Sequence, residues 1–424
     1  MLVVVAVGLG AVDVAAAGRP QQAAVDPVDA VLANRQVRRA LELSKESEPR
    51  TIADQIKFCE TPAPPTKEGA RAELLKRAFL DVGLNSVYQD RVGNIIGYRS
   101  GTAVRPRVML AAHLDTVFPE GTSVLVRHVG QTLVGPGIGD NCRGLAVLVA
   151  VARAMRDARL ELPGSVMFVA NVGEEGLGNL RGVRELFGVA SGRATHPADV
   201  DFFVSIDGPG LHVTNVAVGS YRYRVTFKGP GGHSFAAFGV PSPVAALSRA
   251  VTRISEIEVP RQPRTTFNVG RIGGGSAVNA IPTDAWMEVD LRSSSPMALK
   301  ALDGKFQAAI DAAVHDENAR GVTPTPITVT KELIGERPAG MTSLRSPIVR
   351  SALKAGRALG LTELRLGEGS TDANIPISLG IPAITIGGGG IGVDAHAPTE
   401  SFDPTDAWQG TQHALLVTIA LAQK

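Results

Sequence analysis

Apolar positions along the chain recur at two spacings, and each spacing predicts an element. Leu, Val and Ala at helical intervals in "NRQVRRALELSKE" predict a first helix. "TPAPPTKEGARAELLKRAFLDVG" opens with a Pro cluster that reads as a loop, then turns amphipathic and helical. "NIIGYRSG" and "RVMLAAHLDTV" are short apolar runs bounded by turn residues, as strands are. "GLAVLVAVARAMRDA" is helical; "SVMFVANVGEE" and "DFFVSIDG" are again strands. Strands alternating with helices predict an α/β layer, with helices flanking a mixed, mainly parallel central sheet.

Near residue 213 the texture changes. "YRYRVTFKG" alternates like a strand with one wet face, and "PVAALSRAVTRISEIE" is helical. Strands "TTFNVGRIGGG" and "DAWMEVDLRS", a long helix "ALKALDGKFQAAIDAAVHDENAR" and a strand "PITVTKEL" follow. This β-α-β-β-α-β order is the ferredoxin-like split unit. Residues 213–333 are therefore expected to form an inserted α+β domain. "PIVRSALKAGRALG", "PAITIGGGG" and the last helix in "PTDAWQGTQHALLVTIALAQ" resume the α/β pattern. The first domain is expected to be discontinuous, over 19–212 and 334–424.

Composition narrows the function. A chain of 424 residues suits two domains. Net charge of +2 and 4% aromatics give neither a basic footprint nor stacking platforms for nucleic acid. Cys59 and Cys142 lie too far apart in sequence for a metal-binding pair and read as two buried thiols. The first 18 residues have an apolar core and the small-residue end Ala15–Ala17 of a secretory signal, but lack a basic start and are interrupted by Asp13. The expectation is export, to a periplasm or the exterior, with the cytoplasm as the alternative. The stretch is too short for a membrane span.

Five polar sites sit at the ends of apolar runs. They are His113 and Asp115 in "AAHLDTV", Asp140 in "GPGIGDNCRG", Glu174 and Glu175 in "NVGEEGLGN", Asp207 in "SIDG", and His396 with Glu400 in "DAHAPTESF". Taken singly each has a plainer reading: Asp140 suits an N-cap, and "GEEG" and "SIDG" suit turns. Together they fall where an open α/β sheet gathers its functional side chains. Two histidines with three carboxylates suit one or two borderline divalent ions such as zinc, and a carboxylate could bridge two of them. Positions two apart on a strand face the same side, so Asp115 is expected to hold the His113 ring. Successive strand positions face opposite sides, so Glu174 and Glu175 are expected to do different work.

The ordered set resembles the di-zinc peptidase family of peptidase T, glutamate carboxypeptidase and the aminoacylases. "GPGGHS" around His233 and "GGGSAVNAIP" around Asn279 match that family's inserted domain, and "STDANI" at 370–375 is similar to its peptidase T-like branch. "DNCRG" departs from it, since many members carry Lys or Asp soon after the bridging Asp. The resemblance implies two Zn2+ ions, with Co2+ or Mn2+ as alternatives. His113 and Asp207 would ligate one, Glu175 and His396 the other, and Asp140 would bridge them. It implies Glu174 as general base, Asp115 as the group orienting His113, and His233 as an oxyanion donor, reaching across from a partner subunit in dimeric members. Asn279 and Arg292 would contact substrate. The implied activity is hydrolysis of small peptides by a homodimer associating through the inserted lid domain. An N-acyl-amino-acid amidohydrolase is the alternative, and a non-catalytic binding protein a remote third. No nucleic-acid or membrane partner is expected.

Overall fold

The computed structural model describes residues 27–189, 199–322 and 324–423. The signal-like stretch at 1–18 lies outside them. None of the helices formed by the described residues is long and apolar enough to cross a membrane.

The apolar runs form the centre of a nine-stranded sheet. Arg107–His113 pairs in parallel with Ser165–Asn171 on one side and Phe202–Ile206 on the other, and Ala383–Ile386 continues in parallel beyond Phe202–Ile206. Ile95–Arg99 and Asn85–Gln89 extend the first edge antiparallel. His212–Ala217 extends the other, with Gly340–Met341 antiparallel and Arg365–Gly369 parallel to it. The central strands are almost wholly buried because helices cover them. Cys142–Asp157 and Trp408–Leu421 are apolar nearly all round, as core helices are, and pack in one cluster with the sheet.

A second, four-stranded antiparallel sheet has its own core. Its order is Thr265–Gly274, Asp284–Ser293, Gly219–Lys228 and Thr328–Arg337. Helices Pro243–Ser255 and Pro296–Ala319 pack on it around Phe227, Met287, Leu291 and Phe306. This is the β-α-β-β-α-β unit that the alternation predicts. Its strands run from Gly219 to Arg337, so His212–Ala217 belongs to the main sheet and the closing strand continues past 333.

The strand carrying "SVMFVAN" stops at Asn171, and a 3-10 turn at Gly176–Gly178 follows. Glu174 and Glu175 thus stand in a loop, and strand alternation is not what separates them. Nor does Asp140 cap the helix Cys142–Asp157: Asn141 does, its Oδ1 accepting from Gly144 N–H at 3.0 Å. Gly144 is needed there, since a Cβ would lie 2.1 Å from Asn141 Oδ1 and 2.6 Å from the Ile206 carbonyl. Asn141 Nδ2 donates to that carbonyl at 2.8 Å, tying the helix start to the strand before Asp207.

Arg143, wholly buried in the first turn of this helix, pairs with Glu48 at 2.7 Å. It also donates to the carbonyls of Gly388 at 2.7 Å and Ala407 at 2.6 Å. Burial pushes the Glu48 carboxyl up and the Arg143 guanidinium down despite their pairing. Such a pair adds little net stability, but removing one partner strands the other. Arg143→Met is expected to destabilise the protein by about 3–5 kcal/mol. Adding Glu48→Leu should recover most of the loss, as read by denaturant midpoints.

Candidate metal centre

Parallel strands deliver three groups to one edge of the main sheet. His113 ends Arg107–His113 in register with Asn171, the 172–175 loop follows Asn171, and Asp207 follows Phe202–Ile206. His396 comes from the connection between Ile391–Val393 and Ser401–Asp403. A small sheet joins that hairpin to the loop of Asp140, with Ser401 opposite Val134. Glu400 completes the join. Its buried carboxylate accepts N–H bonds from Gly137 (2.9 Å), Gly139 (2.8 Å) and Asp140 (2.9 Å).

The side chains then converge. Asp140 Oδ1 lies 3.1 Å from His113 Nε2, and Asp140 Oδ2 lies 3.1 Å from His396 Nε2. Asp207 Oδ1 is 3.7 Å from His113 Nε2, and Glu175 Oε1 is 3.0 Å from His396 Nε2. Three donor groups result: His113–Asp140–Asp207 and Asp140–Glu175–His396, which share one carboxylate, and His113–Glu174–Glu175. Ligand atoms bound tetrahedrally at about 2.0–2.2 Å stand about 3.4 Å apart. Separations of 3.0–3.7 Å fit that spacing, and nitrogen with carboxylate oxygen suits a borderline dication.

Charge explains the crowding. Burial would push the His113 imidazole down, but Asp115, Asp140 and Asp207 around it hold it well above its usual range. Hydrogen bonds to Asp140 and Glu175 push His396 up to about 10. Burial opposes ionisation of Asp140, yet its two histidines hold it below the usual carboxylate range. The same contacts favour the protonated form of both imidazoles beside these carboxylates.

Asp115 does more than expected. The ring N–H at His113 Nδ1 donates to the Asp115 backbone carbonyl at 3.1 Å, with a carboxylate oxygen at 3.6 Å. That carboxylate also accepts from Glu174 N–H at 3.0 Å and Glu175 N–H at 2.8 Å. One residue therefore fixes both the His113 ring and the loop of the paired glutamates.

A cavity of about 620 Å³ opens over the centre, lined among others by Asp140, Glu174, Glu175, Asp207, Arg292 and His396. His233 and Asn279 do not line it. They lie exposed on the second sheet unit, where Gly232–His233 pairs with Ala280–Ile281. A cavity of about 680 Å³ near Tyr88 and Tyr98 holds none of these groups, so chemistry rather than size selects the site.

Arg337 is the group that the sequence did not reveal. It ends the last strand of the second sheet, is 4% exposed, and pairs with Glu174 Oε1 at 2.8 Å. It also donates to the carbonyls of Glu174 and, at 3.1 Å, Ser370. Burial pushes the Glu174 carboxyl well above the usual range, against the pull of Arg337. In sequence, "GERPAG" shows only a charge at a strand end.

Residues 109–418 match peptidase family M20/M25/M40. The chain belongs to that family of metal-dependent hydrolases. It is 24% identical to the uncharacterized protein YqjE of Bacillus subtilis (strain 168) over 356 residues, which is 80% of this chain and 90% of that protein. A tripeptidase structure from Staphylococcus aureus superposes with a TM-score of 0.72 at 22% identity, over 89% of this chain and 99% of that one. A dinuclear metal-binding peptidase of Bacillus subtilis superposes at 0.65 with 17% identity, over 90% and 100%. At these identities the structural likeness is one of fold.

Metal binding needs neutral imidazoles, so an ion must displace the protons on His113 and His396. Affinity is expected to rise with pH up to about 10, where His396 loses its proton, with protons released on binding below that. Calorimetric titration in buffers of different ionisation heat measures both. Affinity independent of pH, without proton release, would remove these histidines from the ligand set.

Proposed function

We propose that the protein hydrolyses amide bonds of small peptides as a di-zinc exopeptidase, with Glu174 as its general base. The observation that carries this reading is the Asp140 carboxylate, whose two oxygens serve two separate histidine–carboxylate groups beneath the cavity that holds Glu174. In this reading His113 and Asp207 would hold one ion, Glu175 and His396 the other, and Asp140 would serve both. The ions supply Lewis acidity, which lowers the pKa of water and polarises an amide carbonyl; cobalt or manganese would suit the same donors.

The chain's own groups do the rest. Glu174 takes a proton from the attacking water and returns it to the leaving nitrogen. Burial favours that exchange by raising its proton affinity, and Arg337 holds the carboxylate in place. Asp115 fixes the His113 ring and the loop that carries Glu174. Arg222, Arg292 and Arg337 line the cavity, where a substrate carboxylate would meet positive charge. Both a peptide C-terminus and an N-acyl amino acid carry such a group, which keeps the amidohydrolase reading as the second one.

The main-sheet segments, residues 27–217 and 338–423, are proposed as the catalytic domain and the insert, 219–337, as a lid. His233 and Asn279 lie outside this chain's cavity, and Phe235, Phe238 and Val278 near them are exposed. These features support a homodimer in which His233 serves the partner's centre as an oxyanion donor.

Di- and tripeptides and N-acyl amino acids, assayed with and without a chelator, test the activity and its preference. Absence of chelator-sensitive turnover in a fully metallated sample would overturn it. Glu174→Ala is expected to lower kcat by about 10²–10⁴-fold with bound metal unchanged. Glu175→Ala should lose metal, as elemental analysis would show. Light scattering reads the oligomeric state, and His233→Ala should lower kcat without altering it.

A further inference from the structure

Asn171 and Asp372 meet beside the centre, and both are fully buried. Asn171 Nδ2 donates to Asp372 Oδ2 at 2.7 Å. The other oxygen of each side chain, Asn171 Oδ1 and Asp372 Oδ1, has no hydrogen-bond partner among the described residues. With an ionised Asp372, two buried acceptors stand without a donor, which native interiors avoid. A proton on Asp372 Oδ1 satisfies both at once. That O–H would have Asn171 Oδ1 as its acceptor, the second of two reciprocal hydrogen bonds, acid to amide beside amide to acid.

We propose that Asp372 keeps its proton in the folded protein and forms a reciprocal acid–amide pair with Asn171, as a positioning residue for the His113–Glu174 edge of the site. The groups that act on this carboxyl electrostatically are consistent with it. Burial pushes Asp372 up to about 7; His113 and the Asn171 bond pull it down, while Asp207 and Asp115 push it up. Arg337 also interacts with it. Bound dications would favour the anion, so the decisive measurement belongs on the metal-loaded protein.

The pair reaches the chemistry through its neighbours. Asn171 stands in register with His113, and its carbonyl accepts from Leu114 N–H at 2.7 Å. Asp372 lies two residues after Ser370, whose carbonyl accepts from the guanidinium that holds Glu174. A neutral acid locks this turn to the strand end without adding another negative charge beside Asp115, Asp207 and Glu174.

Infrared spectroscopy of the metal-loaded protein, with carboxyl-labelled aspartate, tests the proton directly. The expected result is a protonated-carboxyl band at neutral pH that shifts on labelling and vanishes in Asp372→Asn. That amide preserves both hydrogen bonds and should keep kcat within about threefold. Asp372→Ala should lose about a hundredfold with metal content unchanged. Absence of the band overturns the proposal, as does Asp372→Asn failing to fold or losing as much turnover as Asp372→Ala. The infrared readout does not depend on the reaction, so failure of this pair and failure of the hydrolase reading are distinguishable.

Discussion

Three backbone N–H groups, from Gly137, Gly139 and Asp140, converge on the buried carboxylate of Glu400, and the geometry of the centre hangs from that contact. Glu400 follows His396 by four residues and belongs to a different part of the chain from Asp140. Together with the pairing of Ser401 and Val134, it fixes the Gly-rich loop relative to the hairpin carrying His396. Burial pushes the Glu400 carboxyl up, and the three N–H donors offset part of that penalty. The shared Asp140 carboxylate thus rests on a side chain that touches no ion.

Crowded negative charge is the second constraint. Asp115, Asp140, Glu174, Glu175 and Asp207 gather around two histidines whose proton affinity these carboxylates raise. The carboxylates have separate partners, which is why the cluster holds. Asp115 is occupied by backbone N–H groups, Asp140 by the histidines, and Glu174 by Arg337. Glu174 and Glu175, adjacent in the chain, therefore have different environments. The loop turns one toward the Arg337 guanidinium and the other toward His396.

Two sheets with separate cores meet at that same loop. Arg337 binds Glu174, Asn179 Oδ1 accepts from Glu336 N–H at 2.9 Å, and Arg184 donates to the Glu336 carbonyl at 2.6 Å. Arg222, from the second sheet, donates to the Gly176 carbonyl. The segment carrying the paired glutamates is held by both units, so the relative placement of the sheets bears directly on Glu174.

Hydrophobic periodicity by itself determined the main strands, the βαββαβ insert and the helices over them, because burial on a repeating face writes itself into consecutive residues. His113, Asp140, Glu174, Glu175, Asp207 and His396 were legible as chemistry-bearing residues at the ends of those runs. Their partners were not. Glu400 on the Asp140 loop, Asn141 on the Ile206 carbonyl, Arg337 on Glu174 and Asp372 on Asn171 are contacts between segments far apart in the chain. Local spacing carries no signal for such contacts, since a buried Arg and a solvated one read alike until the fold closes around them. The strand pattern also ran too far at "NVGEE", where turn residues rather than alternation set the directions of the two glutamates. The sequence determined which groups reach the sheet's edge; only tertiary packing decided which of them share charge, because long-range proximity sets burial and hydrogen-bond partners.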